Sequence, residues 1–214
     1  MTDVVTPLPI FNHNHNITIE VMTILDVGLI ISKIKNKKLS LSPHPESPTP
    51  IGHYTKYDGI NMVAHDPYGW NYLRNQANEP HPGRTDPGSI VLNAKVGDTV
   101  SFRSISIDGN SHYAAFIYNI VGGDPILGEA QVKITTLENA AYPTAKNGYP
   151  FAHGHASFSS CDAKVVNPGR TWNFDIYAAL FHYDKSTDGQ TLAGYVSWDP
   201  VVFARELHKN PENQ

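Results

Sequence analysis

The chain of 214 residues is short of several things, and each shortage narrows what it can be. It has a single cysteine, Cys161, so no disulfide can form within it and its stability needs no oxidising compartment. Charged residues make up only 17%, a poor supply for long, salt-bridged helices, and an all-α fold is not expected. Positive charge is not in excess either. Sixteen Lys and Arg against 20 Asp and Glu leave a formal charge of -4, and the densest basic run is only Lys33, Lys35, Lys37 and Lys38, which argues against nucleic acid as a partner. Long apolar runs are missing too. The most apolar stretch, residues 17–34, is broken by Glu20, Asp26 and Lys33, too charged to span ~30 Å of hydrocarbon. Residues 1–11 lack the basic start and apolar core of a signal peptide. The expectation is a soluble cytoplasmic protein that meets neither nucleic acid nor membrane, in which the Asn16-Ile17-Thr18 sequon is chance.

Glycine and proline, at 16 each, and eleven histidines are what the chain has in plenty. Between the turn residues run short alternating segments. Ile17, Ile19 and Val21 alternate with Thr18, Glu20 and Met22, the period of a half-buried strand. Residues 171–181 are clearest: Trp172, Phe174, Ile176, Ala178 and Leu180 share one face and are expected in the core. Val100 and Phe102 alternate up to Ser104, after which Ile105 and Ile107 take the other parity, so a bulge near Ser104 is expected. Further strands fit residues 60–64, 89–94, 113–121, 131–137, 156–161 and 192–198, for a total of nine or ten. Turns such as Asp58-Gly59, Val96-Gly97-Asp98, Asp108-Gly109-Asn110 and Asp188-Gly189 separate them. With no helical period between the strands, the pattern favours an all-β sandwich over a βαβ fold. Residues 39–50, with four prolines, and residues 65–88 read as long loops. Asp199 and Pro200 are placed to open a short C-terminal helix through Val202, Phe203, Glu206 and Leu207. The division expected is a flexible arm over 1–16, one β-sandwich domain over 17–200, and a short helix and tail over 201–214.

The order of elements resembles a known family. The residues that carry the resemblance are Ile19-Glu20-Val21-Met22-Thr23-Ile24-Leu25-Asp26, a Pro-rich loop ending in Pro50-Ile51-Gly52-His53, then Ile60-Asn61-Met62-Val63-Ala64. Ala94-Lys95-Val96-Gly97-Asp98-Thr99-Val100-Ser101-Phe102-Arg103 and Gly194-Tyr195-Val196-Ser197-Trp198-Asp199-Pro200 complete the series. Together they resemble the AidA/PixA inclusion-body protein family of bacteria. The resemblance implies an immunoglobulin-like β-sandwich that accumulates to high level in host-associated bacteria. It implies no enzyme and transfers no catalytic residue.

Several constellations offer groups that chemistry could use. Two imidazoles at His153 and His155 would share one face of an extended segment and could grip a metal, but a loop entering a strand explains them as well; His13 and His15 repeat the spacing in the N-terminal arm. Cys161 has no blue-copper or protease signature around it and reads as a small buried hydrophobe. Asp184, Ser186 and Asp188 put oxygen side chains at alternate positions before Gly189, as a calcium loop does; position 12 is Tyr195, not a bidentate Glu, and a hairpin accounts for the same residues. Asp66, Trp70, Tyr72 and Arg74 mix aromatic faces with planar polar groups in one loop, the mixture a pyranose needs. Equally, Trp70 and Tyr72 could pin that loop to the sandwich.

Two readings of function stand side by side. One is a non-enzymatic protein accumulated in inclusion bodies, with a storage or host-interaction role. The other is a carbohydrate-binding module, a lectin with a glycan as ligand and calcium as its one candidate cofactor. Homo-oligomers are compatible with both.

Overall fold

The computed structural model of the chain describes residues 15–52, 58–65, 69–71, 90–122, 125–143, 151–171 and 174–205. Among them run thirteen strands and one helix. In order these are β1 (Thr18–Leu25), α1 (Val27–Asn36), β2 (Thr49–Pro50), β3 (Ile60–Ala64), β4 (Gly69–Asn71), β5 (Ile90–Lys95), β6 (Thr99–Ser106), β7 (Tyr113–Gly122), β8 (Gln131–Pro143), β9 (Phe151–Lys164), β10 (Gly169–Thr171), β11 (Phe174–Asp184), β12 (Gly189–Trp198) and β13 (Val201–Arg205). The structure is mainly β. Strands of two or three residues, β2, β4 and β10, carry no period of their own, which is why nine or ten were expected.

The strands form three sheets, ordered β3-β1-β6-β9-β8, β10-β13-β5-β4 and β2-β12-β11-β7. Each contains one parallel pair: β1 with β6, β13 with β5, β12 with β2. The first and third sheets face each other. Their inward faces meet where the Phe102 and Phe174 rings lie 6.4 Å apart and where the Trp198 indole N–H reaches Met62 Sδ at 3.5 Å. Ile90 and Leu92 of β5 enter the same core, with Ile19, Val21 and Leu25 of β1. Phe174, Ile176, Ala178 and Leu180 are all buried, as their alternation requires; Trp172 lies outside the described residues.

Four expectations are corrected. First, a helix interrupts the strands. Asp26 caps it, its Oδ1 accepting the Leu29 N–H at 2.9 Å, and Val27, Ile30 and Ile34 bury one face. The run Lys33 to Lys38 therefore sits at a helix C-terminus, where positive charge complements the backbone dipole. Its β-branched, apolar sequence directly follows β1, so it reads as more of the same strand. Second, there is no bulge at Ser104. β6 pairs with β1 in unbroken register from Thr99 to Ser106. Ser104 and Ser106 keep the parity of Val100 and Phe102, and their hydroxyls join β7: Ser104 Oγ donates to the Ala115 carbonyl at 2.9 Å and accepts the Ile117 N–H at 3.0 Å, and Ser106 Oγ donates to the Tyr113 carbonyl at 2.6 Å. Third, residues 201–205 are a strand, not the start of a helix. Val201, Val202 and Phe203 favour extended backbone, and the strand fills the place between β10 and β5. Fourth, neither long loop is structureless. Trp70 lies in β4, opposite Val91 of β5, and the proline-rich segment is strapped to β12 by a bridge from Ser42 to Tyr195 and by β2.

One motif has a plain structural explanation. Asp98 is buried, and its carboxylate accepts the N–H of Ile17 and the N–H of Lys95, each at 3.0 Å. Gly97 has φ +98°, a conformation that favours glycine. The turn thereby pins the start of β1 to the β5–β6 connection.

Candidate functional site

The residues expected to bind calcium form the β11–β12 hairpin. Asp184 pairs with Gly189 across it, and Asp188 takes φ +49° at the turn. Asp184 Oδ1 accepts both the Ser186 N–H at 2.8 Å and the Ser186 hydroxyl at 2.7 Å, which hold its carboxyl below the usual range. Asp188 Oδ1 accepts the Tyr183 hydroxyl at 2.5 Å, and that bond raises the Tyr183 phenol. Each carboxylate thus has one oxygen held within the hairpin. Among the described residues no three His, Cys, Asp or Glu side chains converge as a metal group.

Of the residues expected to hold a sugar, Trp70 is in β4, while Asp66, Tyr72 and Arg74 lie outside the described residues. His153 and His155 are in β9 rather than in a loop. His155 Nδ1 lies 2.8 Å from Glu138 Oε2 on β8. Cys161 is buried, and that burial, followed by the neighbouring Asp162 charge, pushes its thiol up to about 11. It has the character of a small core residue.

The structure brings together a different set. On the outward face of the β2-β12-β11-β7 sheet, Ala179 lies between Phe116 of β7 and Tyr195 of β12 in register. Over this small residue the larger rings converge. Tyr118 lies 6.0 Å from Tyr177 and 5.5 Å from Tyr195, with planes 58° and 74° apart, and Phe116 lies 5.8 Å from Phe181 at 71°. Two of these pairs are edge-to-face, an arrangement favoured by the ring quadrupoles, and the Tyr118–Tyr177 pair is tilted, so the patch is not a flat platform. The Tyr118 hydroxyl donates to the Pro45 carbonyl at 2.6 Å, tying the patch to the proline-rich strap. Burial first, then Tyr177, Tyr195 and Glu46, push the Tyr118 phenol up to about 12. The alternation in β11 puts Tyr177 and Ala179 outward. What it cannot supply is the register that sets Tyr195 and Phe116 on either side of Ala179.

A second exposed feature is the β8–β9 hairpin. Among the described residues β8 is the last strand of its sheet and pairs with β9 alone. Ile134 is 75% exposed, Val132 50% and Leu137 47%. The two charges of β8 are both met from β9, Lys133 by Asp162 at 2.7 Å and Glu138 by His155. Tyr142 lies against Gly154, where a Cβ would fall 3.0 Å from its ring.

The family model described as PixA, inclusion body protein, matches residues 17–203. No curated protein matches the sequence. A crystal structure of an inclusion body protein from Burkholderia cenocepacia is 20% identical and superposes with a TM-score of 0.65, covering 91% of this chain and 100% of that one. A cysteine protease inhibitor from Entamoeba histolytica is 16% identical with a TM-score of 0.27, covering 54% and 86%, and carries no argument. The Burkholderia structure shows a shared fold.

Proposed function

Because the chain belongs to the PixA family of inclusion body proteins, we propose that it works without catalysis, by accumulating in bacterial cells as dense inclusions. The observation that carries this is the family match over residues 17–203. The accumulated protein serves as a store or as a product delivered to a host with which the bacterium lives. We read the two facing sheets as an immunoglobulin-like sandwich, a reading supported by their shared core of Phe102, Phe174, Met62 and Trp198. Accumulation is tested by raising expression of the untagged chain in a bacterium, then following phase-bright bodies and the pelleted fraction. Folded protein that stays evenly dispersed at high level would count against the proposal.

A second reading, recognition of a glycan, is favoured by the aromatic patch of Phe116, Tyr118, Tyr177, Phe181 and Tyr195. Asp66, Trp70, Tyr72 and Arg74 form an alternative sugar site, and Asp184, Ser186 and Asp188 a calcium site that assists it. A glycan array run with wild type, Trp70→Ala and Tyr195→Ala separates the surfaces. Loss of one stacking ring should weaken binding about thirtyfold. An empty array for wild type at high concentration ends this reading.

A further inference from the structure

We propose that β8 is a self-association edge: two copies of the chain pair their segments 131–137 antiparallel about a two-fold axis at Ile134, joining two five-stranded sheets into one. An edge strand presents a row of unpaired backbone N–H and C=O groups, and soluble proteins blunt such edges with charge, proline, bulges or cover. In β8 those devices are missing or spent over the first seven residues. Gln131, Val132, Lys133, Ile134, Thr135, Thr136 and Leu137 contain no proline or glycine and are all exposed. Their one charge, Lys133, is already met by Asp162 on β9. Three of the seven, Val132, Ile134 and Leu137, are large apolar residues with 47–75% exposure. High β-propensity, low net charge and no proline in a segment of this length are what edge-to-edge pairing selects.

The register follows from where the regular strand stops. β8 pairs evenly with β9 from Gln131 to Leu137, and the register shifts between Leu137 and Ala140. Such an irregularity twists the strand and ends flat pairing. The regular segment is therefore seven residues centred on Ile134. A two-fold there keeps each side chain on its own face of the joined sheet. Ile134 meets its own copy, Val132 meets Thr136 of the second copy, and Lys133 meets Thr135, so no like charges stand opposite each other. Any other centre within the segment leaves one of its ends without a counterpart.

Size sets the strength. At about 3.4 Å per residue and a sheet about 10 Å thick, the seven paired residues offer roughly 240 Å² per partner, or about 480 Å² in total. Stable complexes bury about 1,200–2,000 Å². The pair is thus weak, and it is populated at the concentrations reached by accumulation, the reading of function on which that part of the inference rests.

Sedimentation velocity of the full chain from low micromolar to near-millimolar concentration tests it. Wild type should pass from monomer to dimer, and Ile134→Lys, which places two ammonium groups at the axis, should raise the dissociation constant at least tenfold with an unchanged melting temperature. Under mild oxidation Ile134→Cys should cross-link to a covalent dimer while Lys133→Cys should not; the native Cys161 is buried and does not interfere. The cysteine pair reads the register even where the lysine variant fails to fold. A wild type that stays monomeric throughout, a dimer indifferent to Ile134→Lys, or Ile134→Cys that fails to cross-link where wild type is dimeric would each overturn the proposal. Inclusions in cells are scored separately. Inclusions without this dimer sink the edge and spare the function, and the dimer without inclusions does the reverse.

Discussion

Tyr118 and Cys161 show how burial acts on single groups. The Tyr118 phenol, pushed up to about 12 by burial and then by its ring neighbours and Glu46, holds its proton more tightly folded than unfolded, where about 10 is usual. A pKa raised by folding contributes stability that is complete below the unfolded value and is lost as pH rises through the folded one. Stability should therefore fall between about pH 10 and 12 in wild type and fall less in Tyr118→Phe, as denaturant titrations across that window will show. Cys161 is fully enclosed between β6 and β8, opposite Phe102 and Val132, and only a thiolate reacts quickly. A maleimide or disulfide reagent at neutral pH should leave the native thiol unmodified over hours and label it within minutes in denaturant. Fast labelling of the native protein would mean that β9 opens locally.

At the scale of elements, the strap over β12 depends on Gly194. It has φ +145°, and a Cβ there would lie 2.5 Å from the Leu41 Cβ and 2.9 Å from the Ser42 carbonyl oxygen. Gly194→Ala should cost about 1–3 kcal/mol in strain and displacement of the strap, read as a lower denaturation midpoint; a neutral result would show that residues 41–42 move aside freely. In the β11–β12 hairpin, Asp184 and Asp188 each use one carboxylate oxygen on Ser186 and Tyr183, and the second oxygen of each is the atom calcium would meet. If the ion binds there, millimolar calcium should raise the melting temperature in wild type and not in Asp188→Ala. How far these elements could be read in the sequence depended on whether their signal was local. Alternation in β1, β6 and β11 is local; it put Phe174 in the core and gave Val21 and Phe102 each a place on one face of a strand. The phase change after Ser104 was local too, but its cause is not: two serines face inward because β7 supplies carbonyls and N–H groups to meet them. Likewise β13 is a strand because β5 and β10 flank it. The aromatic patch needs registers across three strands, which no window of one strand contains.

For the molecule as a whole, pairing between distant segments is the rule. β1 lies in the middle of its sheet, parallel to β6, with Thr18 opposite Thr99, and β5 joins β13 at the other end of the sequence. Non-local pairing of this kind slows folding, because a long loop must close before its contacts reward it. Refolding from denaturant should take milliseconds to seconds or longer, followed by stopped-flow tryptophan fluorescence; a microsecond phase accounting for all the signal would contradict it. The same central place of β1 has a consequence during translation. β1 leaves the ribosome before β6, which follows about eighty residues later, roughly 4–16 s at about 5–20 residues per second. Until then the nascent Ile19, Val21 and Leu25 can be covered only by segments already made, α1 and β3 among them. A cell producing this chain in bulk thus carries a standing pool of half-built sheets, and the pace of synthesis and the supply of chaperones help to decide how much of it reaches the native state.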